Sequence, residues 1–201
     1  MKKLFILALL FLITVAAMAQ TNTFSVEKVE CKNKFKGSKL VLNCKNDTTI
    51  KQSFTYSYDL DYFTSLNDSS KFILIGELLK FENDTSHCCL NVTNWSFNGI
   101  EGCGGKPKNV KYYTIQIDAL FMINRLCWPK LMELYSCSQV LYDNKLKKEI
   151  NSDQKKIKIV FAIYKKWYEE CKVKGKIEKY FPFNDGRYVW YGGKKSITSK
   201  N

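Results

Sequence analysis

The sequence contains very little histidine, proline or glycine: among 201 residues there are one His, three Pro and ten Gly. A single imidazole excludes reactions that need two histidines and metal sites built from a histidine cluster. The scarcity of proline and glycine excludes a collagen-like chain, and an apolar fraction of 45% is typical of a globular one. We therefore predict one globular domain with neither a metal nor a cofactor.

The motifs of common enzyme families are also missing. The chain has no GxSxG nucleophile elbow and no HExxH zinc motif, and its Gly-rich segment 102–107 lacks the spacing of a phosphate-binding loop. His87 precedes Cys88, but export would consume this thiol in a disulfide, which disfavours Cys–His catalysis. We expect no enzymatic activity, and a small extracellular hydrolase is kept as an alternative.

Only one long hydrophobic run is present, and it lies at the start of the chain. Lys2 and Lys3 precede 12 mostly apolar residues at positions 4–15, and Ala-Met-Ala follows at 17–19. This order is typical of a secretory signal peptide that is cleaved after Ala19. The run is too short to cross a bilayer core of about 30 Å. We predict a signal peptide at 1–19 and a secreted, extracellular product at 20–201 without a stable membrane anchor.

The acceptor sequence for N-linked glycans, Asn-x-Ser/Thr, occurs five times. All five copies lie between residues 46 and 96, at Asn46, Asn67, Asn83, Asn91 and Asn94. Such sequences are glycosylated when they are exposed on a protein that enters the secretory pathway. Their placement predicts a glycosylated N-terminal half.

Eight cysteines lie in the predicted mature chain, at Cys31, Cys44, Cys88, Cys89, Cys103, Cys127, Cys137 and Cys171. An even number in an exported chain is typical of a disulfide framework, and the absence of a Cys-x-x-Cys pair argues against zinc. The pattern of residues 31–44 is symmetric about Gly37 and Ser38, and a two-residue turn there would place Cys31 opposite Cys44. We predict this bridge. The other six cysteines can pair in 15 ways, and 12 of these remain because the adjacent Cys88 and Cys89 do not bond to each other.

The hydrophobic pattern predicts an α+β fold, with antiparallel β-hairpins first, three helices next and a short strand at the end. Strands are predicted at 54–62, at 71–81 with a bulge at Gly76, at 88–97 and at 188–191. Helices are predicted at 115–127, at 130–141 and from Ser152 to Cys171, the last one ended by Gly175. Within one domain, residues 20–110 are then mainly β, 111–180 mainly helical, and 181–201 a short strand and basic tail.

The positive charge is concentrated in the C-terminal part. The whole chain carries +13, yet residues 20–143 hold 14 basic and 13 acidic side chains, against 16 and 6 in residues 144–201. Because lysine acts as a point charge, diffuse attraction to an anionic partner is expected rather than bidentate phosphate recognition. The candidate anion-binding residues are Lys145, Lys147, Lys148, Lys155, Lys156, Lys158, Lys165, Lys166 and Lys172.

These observations predict a secreted, disulfide-bonded glycoprotein that acts by binding. The expected partner is an anionic glycan or an acidic protein surface outside the cell, and the compartment disfavours nucleic acid. A membrane- or lipid-binding effector is the alternative, because the last helix is amphipathic. A lysine-rich face is equally often a solvated surface without a ligand. The sequence leaves the individual partner and the oligomeric state open.

Overall fold

The structure is a computed structural model, and it describes residues 24–32, 36–45, 47–53, 61–92, 110–129, 138–178, 180, 182–183 and 186–193. The strands are β1 Phe24–Glu30, β2 Ser38–Cys44, β3 Asp47–Ser53, β4 His87–Asn91, β5 Tyr112–Thr114, β6 Leu141–Asp143, β7 Lys148–Glu149 and β8 Tyr188–Trp190. The helices are α1 Asp61–Thr64, α2 Asp68–Leu79, α3 Ile115–Cys127 and α4 Gln154–Lys174, and a 3₁₀ turn spans Lys80–Asn83.

Two sheets organise the described part of the chain. In the first, the strand order is β1-β2-β4-β5, with β3 also paired to β2, and every pairing except β2–β4 is antiparallel. In the second, β6 lies between β7 and β8, antiparallel to both. Within the described residues, an N-terminal sheet rich in antiparallel pairs, four helices and a short C-terminal strand confirm the predicted α+β class.

Helix α3 coincides with the predicted helix at 115–127 and lies at the centre of the core. Of its 13 residues, 11 are buried, including the polar side chains of Gln116, Asp118 and Asn124. A helix that is buried on all sides must be covered by several other elements, and α3 contacts α1, α2 and strands of the first sheet.

Helix α4 confirms the long C-terminal helix and differs from the prediction at its first residue. The N-cap is Asp153 rather than Ser152, and its side chain accepts the Lys156 N–H. An aspartate is a strong cap because it satisfies a free backbone donor and complements the helix dipole. Gly175 ends the helix with a φ of 67°, which glycine adopts without strain. The buried stripe is Ile157, Val160, Phe161, Tyr164, Trp167 and Cys171, as its spacing predicts.

A short chain of buried hydrogen bonds joins α3, α4 and β8. The Trp190 indole N–H donates to the Tyr164 hydroxyl at 3.0 Å, and this hydroxyl donates to Asn124 Oδ1 at 2.7 Å. Each bond satisfies a polar group that the core would otherwise leave without water. The Tyr164 hydroxyl therefore fixes the second sheet and α4 against the central helix.

The segment predicted as a strand at 71–81 is helix α2, so that prediction is wrong. Asn67 caps the helix through its side-chain oxygen, and Leu74, Ile75, Leu78 and Leu79 form a buried stripe at helical spacing. A short apolar run can form either a buried helix or a buried strand, so the hydrophobic pattern of this segment did not identify the helix. Gly76 does not form a bulge: a Cβ there would lie 2.9 Å from the Tyr168 hydroxyl, so glycine permits the contact between α2 and α4.

The predicted hairpin exists as β1 and β2, but its register is wrong by seven residues. Cys44 lies opposite Phe24 rather than Cys31, and the intervening loop is correspondingly longer. Ser38 pairs with Cys88 in β4, which brings the end of the loop to that strand. Gly37 does have a positive φ of 141°, but the reason is tertiary: a Cβ would lie 2.6 Å from the His87 carbonyl oxygen.

The bridge follows from this register. Cys31 is bonded to Cys89, with 6.3 Å between the Cα atoms, so the predicted Cys31–Cys44 bridge is corrected. Cys44, Cys88, Cys127 and Cys171 are thiols in the structure, three of them buried, which also corrects their assignment to disulfides. Their positions in the apolar core explain why they need no bridge, since a buried cysteine packs as a small hydrophobic residue. Cys103 and Cys137 lie outside the described residues.

The other predicted elements are confirmed in part. Strand β4 covers the first part of 88–97, and β8 covers 188–190 of the final strand. Residues 138–140 are not helical and 141 begins β6, so the predicted helix at 130–141 is wrong at its end, where β6 pairs with β7 and β8 instead. Residues 61 and 62 lie in α1 rather than a strand. The rest of these segments, 54–60, 93–97 and 130–137, and the Gly-rich loop at 102–107, lie outside the described residues.

A buried carboxylate joins α3 to the first sheet. Asp118 is fully buried, and its Oδ2 accepts the Leu40 N–H at 3.3 Å. Burial raises the pKa of Asp118 from its ordinary value of 3.8 to about 7, and the Leu40 hydrogen bond and the Lys39 charge oppose this shift only in part. The folded state thus favours the protonated form of this side chain.

We expect Tyr164→Phe to lower the free energy of unfolding by about 1 to 3 kcal/mol. The variant leaves Trp190 Nε1 and Asn124 Oδ1 buried without the hydroxyl that each contacts. Urea denaturation followed by circular dichroism measures the change. Tyr188→Phe is the matched control, because the buried Tyr188 hydroxyl has no hydrogen-bond partner among the described residues. Equal destabilisation by the two substitutions would contradict the assigned role of Tyr164.

We expect the wild-type protein to lose stability as the pH rises from 5 to 8, and the Asp118→Asn variant to lose less over the same range. The folded state holds a proton on Asp118 between its unfolded and folded pKa values, about 4 and 7, so stability is lost as the pH rises through this window. Between pH 5 and the folded pKa of about 7, the wild-type protein should lose about 3 kcal/mol of stability relative to the variant. Urea midpoints of both proteins at the two pH values measure it. Parallel pH profiles for the two proteins would show that Asp118 does not titrate in this range.

Candidate anion-binding surface

The densest group of exposed lysines lies on the turn between β6 and β7. Asp143 Oδ1 accepts the backbone N–H groups of Lys145 and Leu146, both at 3.0 Å, and this closes the turn. Lys147 completes it with a φ of 52°. Lys145, Lys147 and Lys148, which we call the basic tip, are all exposed, and the Leu146 side chain between them is 50% exposed.

The basic tip is attached to the core through a buried ion pair. The Asp143 side chain has no solvent exposure, and its Oδ2 lies 3.3 Å from Lys156 Nζ and 3.9 Å from Arg187 Nε. Burial raises the pKa of Asp143, but the Leu146 N–H and Lys156 outweigh burial, so the pKa lies below its ordinary value. Asp143 is therefore charged at neutral pH and binds Lys156, which is only 14% exposed.

A second group of lysines lies on the solvent side of α4. Lys155, Lys158 and Lys166 are exposed, and at 100° per residue they lie within about 80° of one another around the helix. We call these three residues the outer helix face. Ile159, on the same side, is 46% exposed. The outer helix face has no ion pair with any residue that the structure describes.

The remaining candidate lysines are paired. Lys165 Nζ lies 2.6 Å from Glu82 Oε2, and this bond ties α4 to the 3₁₀ turn. Lys172 Nζ lies 3.3 Å from Glu169 Oε2 and 5.1 Å from the centre of the Tyr168 ring. Of the nine lysines predicted from sequence, three are thus held by acids, and six have no ion pair within the described part of the chain.

The sequons that can be placed lie at the N-cap of α2, on the 3₁₀ turn and on β4. Asn67 and Asn83 are exposed at the two ends of the α2 and 3₁₀ segment, and Asn91, at the end of β4, is half-buried. Asn67 Oδ1 accepts the Ser70 N–H as the helix cap, which leaves its Nδ2 to carry a glycan. Asn46 and Asn94 lie outside the described residues.

The single histidine does not face a reactive thiol. His87 is exposed at the start of β4, where its ring lies 4.8 Å from the Tyr112 ring, measured between centroids. Burial raises the pKa of the neighbouring Cys88 thiol to about 12, so this thiol keeps its proton at neutral pH. Cys89, the next residue, is in the disulfide.

The described ranges contain neither a metal-binding cluster nor a membrane-spanning helix. No group of three or more His, Cys, Asp or Glu side chains is placed to hold a metal ion there. Within the same ranges, no helix combines the length and apolar character needed to cross a membrane.

Arg187 lies at the base of the basic tip and was not predicted from the sequence. The Asn144 backbone N–H donates to the Arg187 carbonyl, and the Asn144 side chain donates to the Gly186 carbonyl.

We expect Lys156→Gln to destabilise the protein by about 2 kcal/mol, because it leaves the Asp143 charge buried without its closest cation. Lys155→Gln removes the same charge from the next position, where the side chain is exposed, and should change stability by less than about 0.5 kcal/mol. Urea denaturation of both variants measures the difference. If the two substitutions have the same effect, Lys156 is a surface lysine like its neighbour.

The turn that carries the basic tip is joined to the first turn of α4, because Asp143 binds Lys156 there. The outer helix face begins at the neighbouring residue, Lys155. The basic tip and the outer helix face combine positive charge with exposed aliphatic side chains, Leu146 on the tip and Ile159 on the helix. Such a surface attracts anionic partners by charge and does not impose the geometry of a bidentate site. No protein-family model, curated protein or solved structure matches this chain.

Proposed function

We propose that this chain is an exported glycoprotein that binds an anionic glycan outside the cell through the basic tip and the outer helix face. The observation that carries the proposal is that six exposed lysines have no ion pair within the described part of the chain. Surfaces with uncompensated charge of one sign attract partners of the opposite sign and raise their association rate.

Export is supported by features that are independent of the lysines. The N-terminal 19 residues have the composition of a signal peptide, and the disulfide between Cys31 and Cys89 requires an oxidising compartment to persist. Asn67 and Asn83 are exposed and lie in acceptor sequences for glycans. Sulfated and carboxylated glycans are abundant anions in that compartment, which is why we place the partner among them.

An anionic lipid surface is the second candidate, and one observation favours it. Leu146 is half exposed within the turn and is flanked by lysines on both sides. A lysine near an anionic bilayer surface contributes about 1 kcal/mol, and an exposed leucine can enter the interface. An acidic protein surface would use the lysines in the same way but gives Leu146 no particular role.

The proposal predicts that a sulfated heparin hexasaccharide binds the glycosylated protein, purified from the medium of secreting cells, in a salt-dependent manner. Replacing Lys145, Lys147 and Lys148 by Gln should weaken binding about tenfold at 0.15 M salt, since each lost contact is worth about 1 kcal/mol before screening. Isothermal titration calorimetry at two salt concentrations measures this.

Replacing Lys165 and Lys172 by Gln is the matched control, because both lysines are already paired with acids. This variant should bind like the wild type. The proposal fails if the hexasaccharide does not bind, or if both sets of substitutions weaken it equally. Binding to vesicles with anionic headgroups that depends on Leu146, without binding to the hexasaccharide, would favour the lipid surface instead.

A further inference from the structure

A cleft of about 520 Å³ opens between β5 and the start of α4, next to the lysines. Its wall includes His87, Tyr112, Glu149, Ser152 and Gln154. Two of these residues directly adjoin candidate lysines in the chain, since Glu149 follows Lys148 and Gln154 precedes Lys155. The volume lies in the range of roughly 300 to 1,000 Å³ that is typical of small-molecule sites.

One wall of the cleft is aromatic. The Tyr112 side chain is 48% exposed, although the protein buries most of its large apolar side chains. The His87 ring lies 4.8 Å from it between centroids, at an angle of 56°, and supports it from β4. A supported aromatic ring with an open face is suited to pack against the flat, C–H-rich side of another ring.

Another part of the lining is polar, and its groups are held in place. Glu149 Oε2 accepts the Asn151 N–H at 3.0 Å, which fixes the carboxylate and leaves Oε1 as an acceptor. Gln154 Oε1 accepts from Gln116 Nε2 at 3.0 Å, and Gln116 is itself fully buried, so the Gln154 amide presents its N–H donors. The exposed Ser152 hydroxyl can donate and accept.

This combination selects among ligand classes. The cleft is lined by one carboxylate, Glu149, and one ammonium group, Lys111, so it has no excess of positive charge to hold a phosphate or sulfate and favours an uncharged ligand. A wholly apolar ligand would bury Glu149 and Gln154 without hydrogen-bond partners, which is costly. A sugar ring offers hydroxyl groups that donate and accept, together with an apolar face for Tyr112.

We infer that the cleft binds one pyranose residue of the glycan whose charged groups contact the lysines. The inference rests on the proposed function, and it assigns two roles along one ligand: the cleft recognises an uncharged ring, and the basic tip and outer helix face attract the sulfates or carboxylates of neighbouring residues. Recognition then depends on sugar identity as well as on charge.

The single histidine provides a specific reporter. Because His87 is the only histidine in the sequence, its imidazole C–H signals in the NMR spectrum of the untagged protein need no further assignment. Titration of the heparin hexasaccharide, and of the same hexasaccharide after chemical desulfation, should shift these signals saturably. The desulfated probe keeps only its carboxylates and should bind more weakly, and replacing Lys145, Lys147 and Lys148 by Gln should lower its affinity less than that of the sulfated probe.

Tyr112→Ala should reduce affinity for both probes about tenfold, the order of loss expected for one aromatic contact. Tyr112→Phe keeps the ring and should bind as the wild type does, and thermal melts verify that both variants are folded. If the sulfated probe binds through the lysines while the His87 signals stay fixed and Tyr112→Ala has no effect, the cleft is not the sugar site and the proposed function stands. If neither probe binds, both are overturned.

Discussion

Burial of α3 is the constraint on which the rest of the structure depends. With 11 of its 13 residues buried, this helix must be covered by several other elements. Three of its buried side chains are polar, and each finds a partner in a different place: Asp118 at Leu40 of β2, Asn124 at Tyr164 of α4, and Gln116 at Gln154. A polar group without a partner in the core is costly, so these bonds favour one arrangement of sheet and helix over other apolar packings.

The candidate site depends on the first turn of α4 in a similar way. Lys156 is bound to the buried Asp143, which closes the turn that carries the basic tip. Two positions earlier, Gln154 is bound to Gln116 of α3 and lines the cleft. One helical turn therefore anchors both parts of the surface to the core. A ligand that contacts lysines and cleft together would meet groups whose relative positions are already set, which lowers the entropic cost of binding.

The fold could be predicted from the sequence where local signals suffice. Helix α3 follows from its hydrophobic pattern and from the stop before Pro129, and helix α4 follows from its N-terminal capping signal, its stop at Gly175 and six buried apolar positions at helical spacing. Helix α2 was not predicted because its apolar run is short and nearly continuous. Such a run does not show whether its hydrophobic residues repeat with the period of a helix or of a strand. The register of β1 and β2 was not predicted because the first residue of β2, Ser38, pairs with Cys88 of β4. These two residues are far apart in the sequence, so no local pattern indicates the pairing. The disulfide between Cys31 and Cys89 depends on that same contact.

For the candidate site, the sequence by itself determined the positive charge of the C-terminal part and the side chains that carry it. It also determined which elements would be helical there, because caps and hydrophobic periodicity act over neighbouring residues. Only the tertiary structure decided which lysines are available. Lys156 and Lys165 are held by Asp143 and Glu82, acids on other elements, whereas the lysines of the basic tip are not. Ion pairing and cleft formation depend on distances between elements, and packing around the buried helix sets those distances.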